Sequence, residues 1–169
     1  MTTLLLGSSK KGHHSLQNHD LTLVNQDWPD KVRYRIRFYG QDMLAIVDSC
    51  PGILGPDERL FGVFDGHGEC GQRWAQVSGT LLLQHILISW WQLKRMLRRE
   101  DGTSRVTNKL KSLFRFAETE CLRPHHIGPD SPGGTTATVT LVMIVRRRRW
   151  IIQAAVGDSP GYLVTVEDS

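Results

Sequence analysis

The run Phe61-Gly62-Val63-Phe64 ends in Asp65-Gly66-His67-Gly68, and that ending limits the folds open to this chain. A short apolar run reads as a buried strand, and two glycines flanking an imidazole let the backbone turn sharply straight after it. A carboxylate at the end of a buried strand has a fixed position and a charge that wants a partner. A hard divalent cation suits it, with a neighbouring carbonyl as a second oxygen donor. Asp-Gly alone is also a common turn signal, so a plain strand-end turn is the other reading.

Around this motif the pattern alternates between strand and helix. Residues 43–47 and 60–64 are strand-like, with Pro51-Gly52 and Gly55-Pro56 as turn punctuation between them. Trp74, Val77, Leu81 and Ile88 recur at helical spacing and predict a helix from near Glu69 with that stripe inward. Val106, Leu110, Leu113, Ala117 and Cys121 predict a second helix, with Ser104 as its N-cap, after a charged connector at 98–102. Residues 136–145 are β-branched and apolar on both alternating faces, and 150–156 repeat this character. Arg146 to Arg149 link the two runs as a solvated hairpin turn, with nuclear import or phosphate docking as alternatives. A further strand is expected from Tyr162 to Val166. Two amphipathic helices after Asp65 are what packing against one face of a sheet requires.

With 169 residues, 40% hydrophobic and 22% charged, the chain has the composition of one soluble domain. No stretch approaches the ~20 apolar residues needed to cross a bilayer, so membrane insertion is not expected. The first six residues are too short for a signal-peptide core and have no basic residue ahead of them. Cys50, Cys70 and Cys121 are odd in number and scattered, which points to free thiols in an intracellular compartment, cytoplasmic or nuclear. A net charge of +4 with no aromatic-basic interleaving gives no reason to expect nucleic acid. Residues 1–20, polar from Ser8 onward and carrying His13-His14, read as a flexible N-terminal arm ahead of a domain over 21–169.

The octapeptide at 61–68 resembles the signature of the type 2C metal-dependent protein serine/threonine phosphatases, and three further motifs extend the resemblance from Arg37 to the last residue. Arg37-Phe38-Tyr39-Gly40-Gln41-Asp42 is similar to the family's Arg-x-x-x-Glu-Asp, with Gln41 in place of Glu. Asn25-Gln26-Asp27 competes with it but has no arginine at the right offset, so Asp42 is the preferred acidic residue. Gly133-Gly134-Thr135-Thr136-Ala137 resembles a Gly-Ser/Thr-Thr-Ala strand opening. Val156-Gly157-Asp158-Ser159-Pro160 resembles a Val-Gly-Asp-Ser-Arg segment, with Pro160 replacing the arginine.

The resemblance implies an α+β fold, a β-sandwich flanked by helices, of which this chain is the N-terminal portion. It implies a two-ion centre of Mg²⁺ or Mn²⁺ bridged by Asp65, with the Gly66 carbonyl as a ligand, Asp42 holding coordinated waters and Asp158 at a third ion. Arg37 would bind the phosphate of a phosphoprotein substrate, and His67 would protonate the leaving serine or threonine oxygen. Each has a plainer reading: Asp42 a strand-start residue, Arg37 an exposed arginine, His67 a solvated or buried ring, Asp158 a turn. Two more metal aspartates, from Asp-Gly and Asp-Asn motifs, are implied by the family and do not occur among these residues. Poor ion affinity and little activity of the isolated chain are therefore expected, with a non-enzymatic binding module as the alternative. Exposed sheet edges at 162–166 and 43–47 would favour self-association or a partner.

Overall fold

The computed structural model describes residues 3–6 and 33–165. In chain order the elements are β1 (Thr3–Leu6), β2 (Arg33–Tyr39), β3 (Asp42–Ser49), β4 (Arg59–Phe64), β5 (Gly66–His67), α1 (Gly71–Ile88), α2 (Trp90–Met96), α3 (Gly102–Cys121), β6 (Gly134–Thr135), β7 (Ala137–Val145), β8 (Arg148–Val156) and β9 (Tyr162–Thr165). Five strands form one antiparallel sheet in the order β2-β3-β4-β7-β8. The helices come between β4 and β7, so the fold is α+β.

Period-two alternation sets the faces of this sheet. Met43, Ala45 and Val47 of β3 are buried, as are Leu60 and Phe64 of β4 and Val139, Leu141, Met143 and Val145 of β7. They meet Ala75, Leu82, Leu83, Ile86 and Leu87 of α1 and Trp90 and Leu93 of α2 in one apolar core. α3 packs on α1 and α2 through Val106, Leu110, Leu113 and Ala117, the stripe its sequence predicts. It begins at Gly102 with Asp101 in the N-cap position, three residues before the expected cap Ser104; the Asp101 carboxylate is held by Arg105.

The inward face of α1 differs from the expected one. Its buried residues include Ala75, Gly79, Leu82, Leu83, Ile86 and Leu87, while Ile88 is 68% exposed and Trp74, Val77 and Leu81 are half-buried. α1 lies between the sheet and α3, so more than one of its sides is apolar. A periodicity reading then has no unique stripe to choose. The edge assignments change as well. β3 lies inside the sheet with β2 and β4 as neighbours, and β9 pairs antiparallel with β1, Thr3 opposite Thr165. Of the two backbones expected to face water, 43–47 is paired on both sides and 162–165 on one, by residues 3–6 of the expected arm. The rest of that arm, and Asp27, lie outside the described residues.

A buried carboxylate ties the helices to the sheet. Glu58 is 1% exposed, and its Oε1 accepts Lys94 Nζ and the Ile144 N–H, each at 2.7 Å. Its Oε2 accepts the Gly55 N–H at 2.8 Å and Trp90 Nε1 at 3.1 Å. Burial alone pushes the carboxyl up. The hydrogen bonds from Lys94, Gly55, Ile144 and Trp90 together outweigh burial and hold Glu58 below the ordinary value of 4.5. One side chain thus fastens the 51–58 loop, α2 and β7 together.

The β7–β8 hairpin turns at Arg146-Arg147, as the four-arginine link predicts, with Arg148 and Arg149 already in β8. Both turn residues have positive φ, 52° and 63°, the geometry of a two-residue type I′ turn that favours Asn-Gly. Replacing Arg146-Arg147 by Asn-Gly should relieve about 1–2 kcal/mol of left-handed strain. For a chain of this size that is a rise in Tm of about 2–8 °C. Calorimetry showing an unchanged or lower Tm would refute the turn assignment.

Candidate metal-anchoring end of the sheet

Antiparallel pairing gathers the resembling segments at one end of the sheet. The end of β2, the start of β3, the end of β4, the start of β7 and the end of β8 all lie there. Met43 pairs with Phe64, so Asp42 and Asp65 are the next residues at neighbouring strand ends. Arg37 lies opposite Leu44 on β2, exposed.

Asp65 is half-buried, and among the described residues its carboxylate has no hydrogen-bond or ion-pair partner. Its backbone is fixed on both sides by Thr136. The Asp65 N–H donates to Thr136 Oγ1 at 3.1 Å, and the Asp65 carbonyl accepts the Thr136 N–H at 2.9 Å. Thr136 Oγ1 also meets Ser159 Oγ at 2.7 Å. A chain of contacts thus runs from the segment after β8 to the end of β4, with Asp158 exposed beside Ser159.

Beyond Asp65 two glycine-rich loops interlock. β5 pairs with β6, Gly66 opposite Thr135 and His67 opposite Gly134. The Cys70 N–H donates to the Pro132 carbonyl at 2.9 Å. A Cβ on Gly66 would lie 2.3 Å from the Gly71 carbonyl oxygen and 2.6 Å from that of Gln41. A Cβ on Gly133, whose φ is 126°, would lie 2.4 Å from the His67 carbonyl oxygen. The exposed His67 ring lies over Gly134. Gln41 reaches into the same loop, its Nε2 donating to the Gly68 carbonyl at 3.0 Å. A glutamate in that position would have no proton to donate at neutral pH. Gln41 therefore braces the loop.

Asp65 fits a cation ligand: it is half-buried, backbone-fixed and without a side-chain partner among the described residues. The rest of a two-ion donor set is not drawn together by the described residues. Asp42, Asp65 and Asp158 do not bring three ligand atoms within 4.8 Å of one another. The one set of three His, Cys, Asp or Glu side chains among the described residues that does so is Glu120, His125 and His126, which no sequence motif singles out. The pair His125-His126 just past a helix is its only visible signal. Cys50, Cys70 and Cys121 are free thiols, and burial pushes the Cys50 and Cys121 thiols up, the latter partly offset by its contact with Ser78. No described helix is long and apolar enough to cross a membrane.

The chain matches no known protein-family model, and no solved structure is significantly similar to it.

Proposed function

We propose that this chain is the N-terminal portion of a metal-dependent protein serine/threonine phosphatase domain of the type 2C kind, with Asp65 as the anchor for Mg²⁺ or Mn²⁺. The observation that carries the reading is the unpartnered Asp65 carboxylate at the sheet end where the resembling segments meet. Asp65 and the Gly66 carbonyl would hold the ion, which when bound supplies an activated water and offsets phosphoryl charge. Arg37, exposed on the neighbouring strand, would bind two oxygens of a phosphoserine or phosphothreonine on an intracellular phosphoprotein. His67, also exposed, would pass a proton to the leaving alkoxide. Asp42 and Asp158 would stand in the outer part of the site.

The complete architecture would be a β-sandwich flanked by helices. The sheet face away from the helices supports this, because Leu44, Ile46, Phe61, Val63, Val142 and Ile144 are apolar there and only half-buried. A second reading is a non-enzymatic phosphoprotein-binding module, favoured by Gln41, which spends its amide on the Gly68 carbonyl and removes a negative charge from the ion's surroundings.

With purified chain and Mn²⁺, turnover of p-nitrophenyl phosphate is expected to stay at the level of Asp65→Asn. Electron paramagnetic resonance should detect weak Mn²⁺ binding that Asp65→Asn reduces. Clear turnover abolished by Asp65→Asn would show a complete centre in this chain. Mn²⁺ binding indifferent to Asp65→Asn would remove the anchor and leave only the binding-module reading.

A further inference from the structure

Residues 122–128 fold back over the end of α3 and bring together three side chains of metal-ligand type. The ligand atoms of Glu120, His125 and His126 lie within 4.8 Å of one another. The backbone enforces the fold-back. The Ile127 and Gly128 N–H groups both donate to the Cys121 carbonyl, at 3.1 and 3.3 Å, and Gly128 has a φ of 91°. The His126 N–H donates to the Arg123 carbonyl at 2.9 Å, while the Arg73 guanidinium, in the first turn of α1, donates to the His126 carbonyl. His126 is therefore held from two sides, and its ring centroid is 4.4 Å from that of exposed His125.

We propose that Glu120, His125 and His126 form a site for a first-row transition ion, with Zn²⁺ as the expected occupant. Two imidazole nitrogens and one carboxylate oxygen make a donor set that suits Zn²⁺ and its neighbours better than Mg²⁺ or Mn²⁺. At ligand bonds of about 2.0–2.1 Å, donor atoms around a tetrahedral ion stand roughly 3.3 Å apart. The three ligand atoms, within 4.8 Å of one another, have to draw together by a little over an ångström at most, and the His125 ring is exposed and free to turn. The C-terminal end of α3 adds partial negative charge beside the ion. Glu120 is paired with Arg123 at 2.9 Å, but the Arg123 side chain is 55% exposed against 13% for Glu120. The guanidinium can withdraw into water as the ion takes its place. Three protein ligands leave the fourth position to water.

This site is separate from the sheet-end carboxylates and does not rest on the phosphatase reading. It does bear on the same loop. The segment after His126 passes through buried Ile127 to Pro132 and Gly133, which interlock with residues 66–71. An ion here would fasten that segment to α3 and, through Arg73, to the start of α1.

The test uses the full chain with His13, His14 and His19 replaced by alanine, which removes the other clustered imidazoles. Titration with Co²⁺ should give a saturable visible band at one equivalent, displaced by Zn²⁺. His126→Ala and His125→Ala should each weaken binding by more than about tenfold, since loss of an outer partner alone costs roughly 10–100-fold. Arg123→Gln should leave binding intact or tighten it. Zn²⁺ should raise the Tm of the parent and not of His125→Ala, an exposed position whose substitution leaves the fold in place. No saturable band, or a band unchanged in both histidine variants, would overturn the proposal.

Discussion

Glu58→Ala is expected to remove about 3–5 kcal/mol of folding stability, the range for breaking a buried ion pair from one side. The carboxylate accepts four hydrogen bonds, and truncation leaves all four donors without their acceptor. Lys94, 9% exposed, would keep a charge with no carboxylate opposite it, only the Trp91 ring 4.8 Å away. Against a total stability of about 5–15 kcal/mol, such a loss leaves a marginal protein. Glu58→Gln is no gentle alternative, because either orientation of the amide turns an NH₂ toward two N–H donors. Lys94→Met should cost less, since Glu58 retains Gly55, Ile144 and Trp90. Urea unfolding of the two single variants and the double variant would measure the coupling, and a loss below about 1 kcal/mol in Glu58→Ala would contradict the network.

The same group gives a pH signature. Its folded pKa lies below the ordinary 4.5, so the unfolded chain takes up the proton first as pH falls. The stabilisation is full above the unfolded pKa and is lost as pH falls through the folded one. Wild-type stability should therefore drop on acidification below about pH 4.5, and the part of the drop due to Glu58 should vanish in Glu58→Ala.

Glu58 also shows what was legible in the sequence and what was not. It falls on the inward phase of its strand, in step with Leu60, Gly62 and Phe64, yet a charged residue just before a strand reads as loop. Its partners Lys94 and Trp90 lie on α2, whose seven residues are too few to show a period. The strands at 43–47, 60–64, 136–145 and 150–156 were readable because alternation and β-branching are local properties. β1 and β2 do not read as strands, β2 because its alternate arginines give it the look of a basic stretch. α3 was readable because only one of its sides is covered. α1 was not, since burial on more than one side blurs its stripe. At the candidate site, the placement of Asp65 followed from the apolar run that delivers it. The brace from Gln41 and the closure of residues 122–128 over Glu120 depend on contacts between distant segments or on a single αL turn. Residue spacing carries no record of either.

Within the interlocked loops, alanine substitutions should separate into two classes. Gly66→Ala and Gly133→Ala are expected to cost on the order of 3 kcal/mol or more each. A Cβ added at Gly66 would meet two carbonyl oxygens, at 2.3 and 2.6 Å, and neither can swing aside because both are backbone. At Gly133 a 2.4 Å clash with the His67 carbonyl adds to a φ that L-residues rarely adopt. Gly134→Ala meets only the His67 ring, 2.9 Å away and at the end of an exposed side chain, so it should cost no more than about 0.5 kcal/mol. Gly128, with positive φ but open space around it, should fall between them at about 1–2 kcal/mol. This ranking separates packing from ligation: Gly66 and Gly133 are required by the approach of two loops, with no ion needed to explain them. Thermal unfolding in metal-free buffer is the measurement. Equal, small losses at all four positions would mean that residues 66–71 and 132–136 do not interlock, and the fixed placement of Asp65 and the Gly66 carbonyl would lose its physical basis.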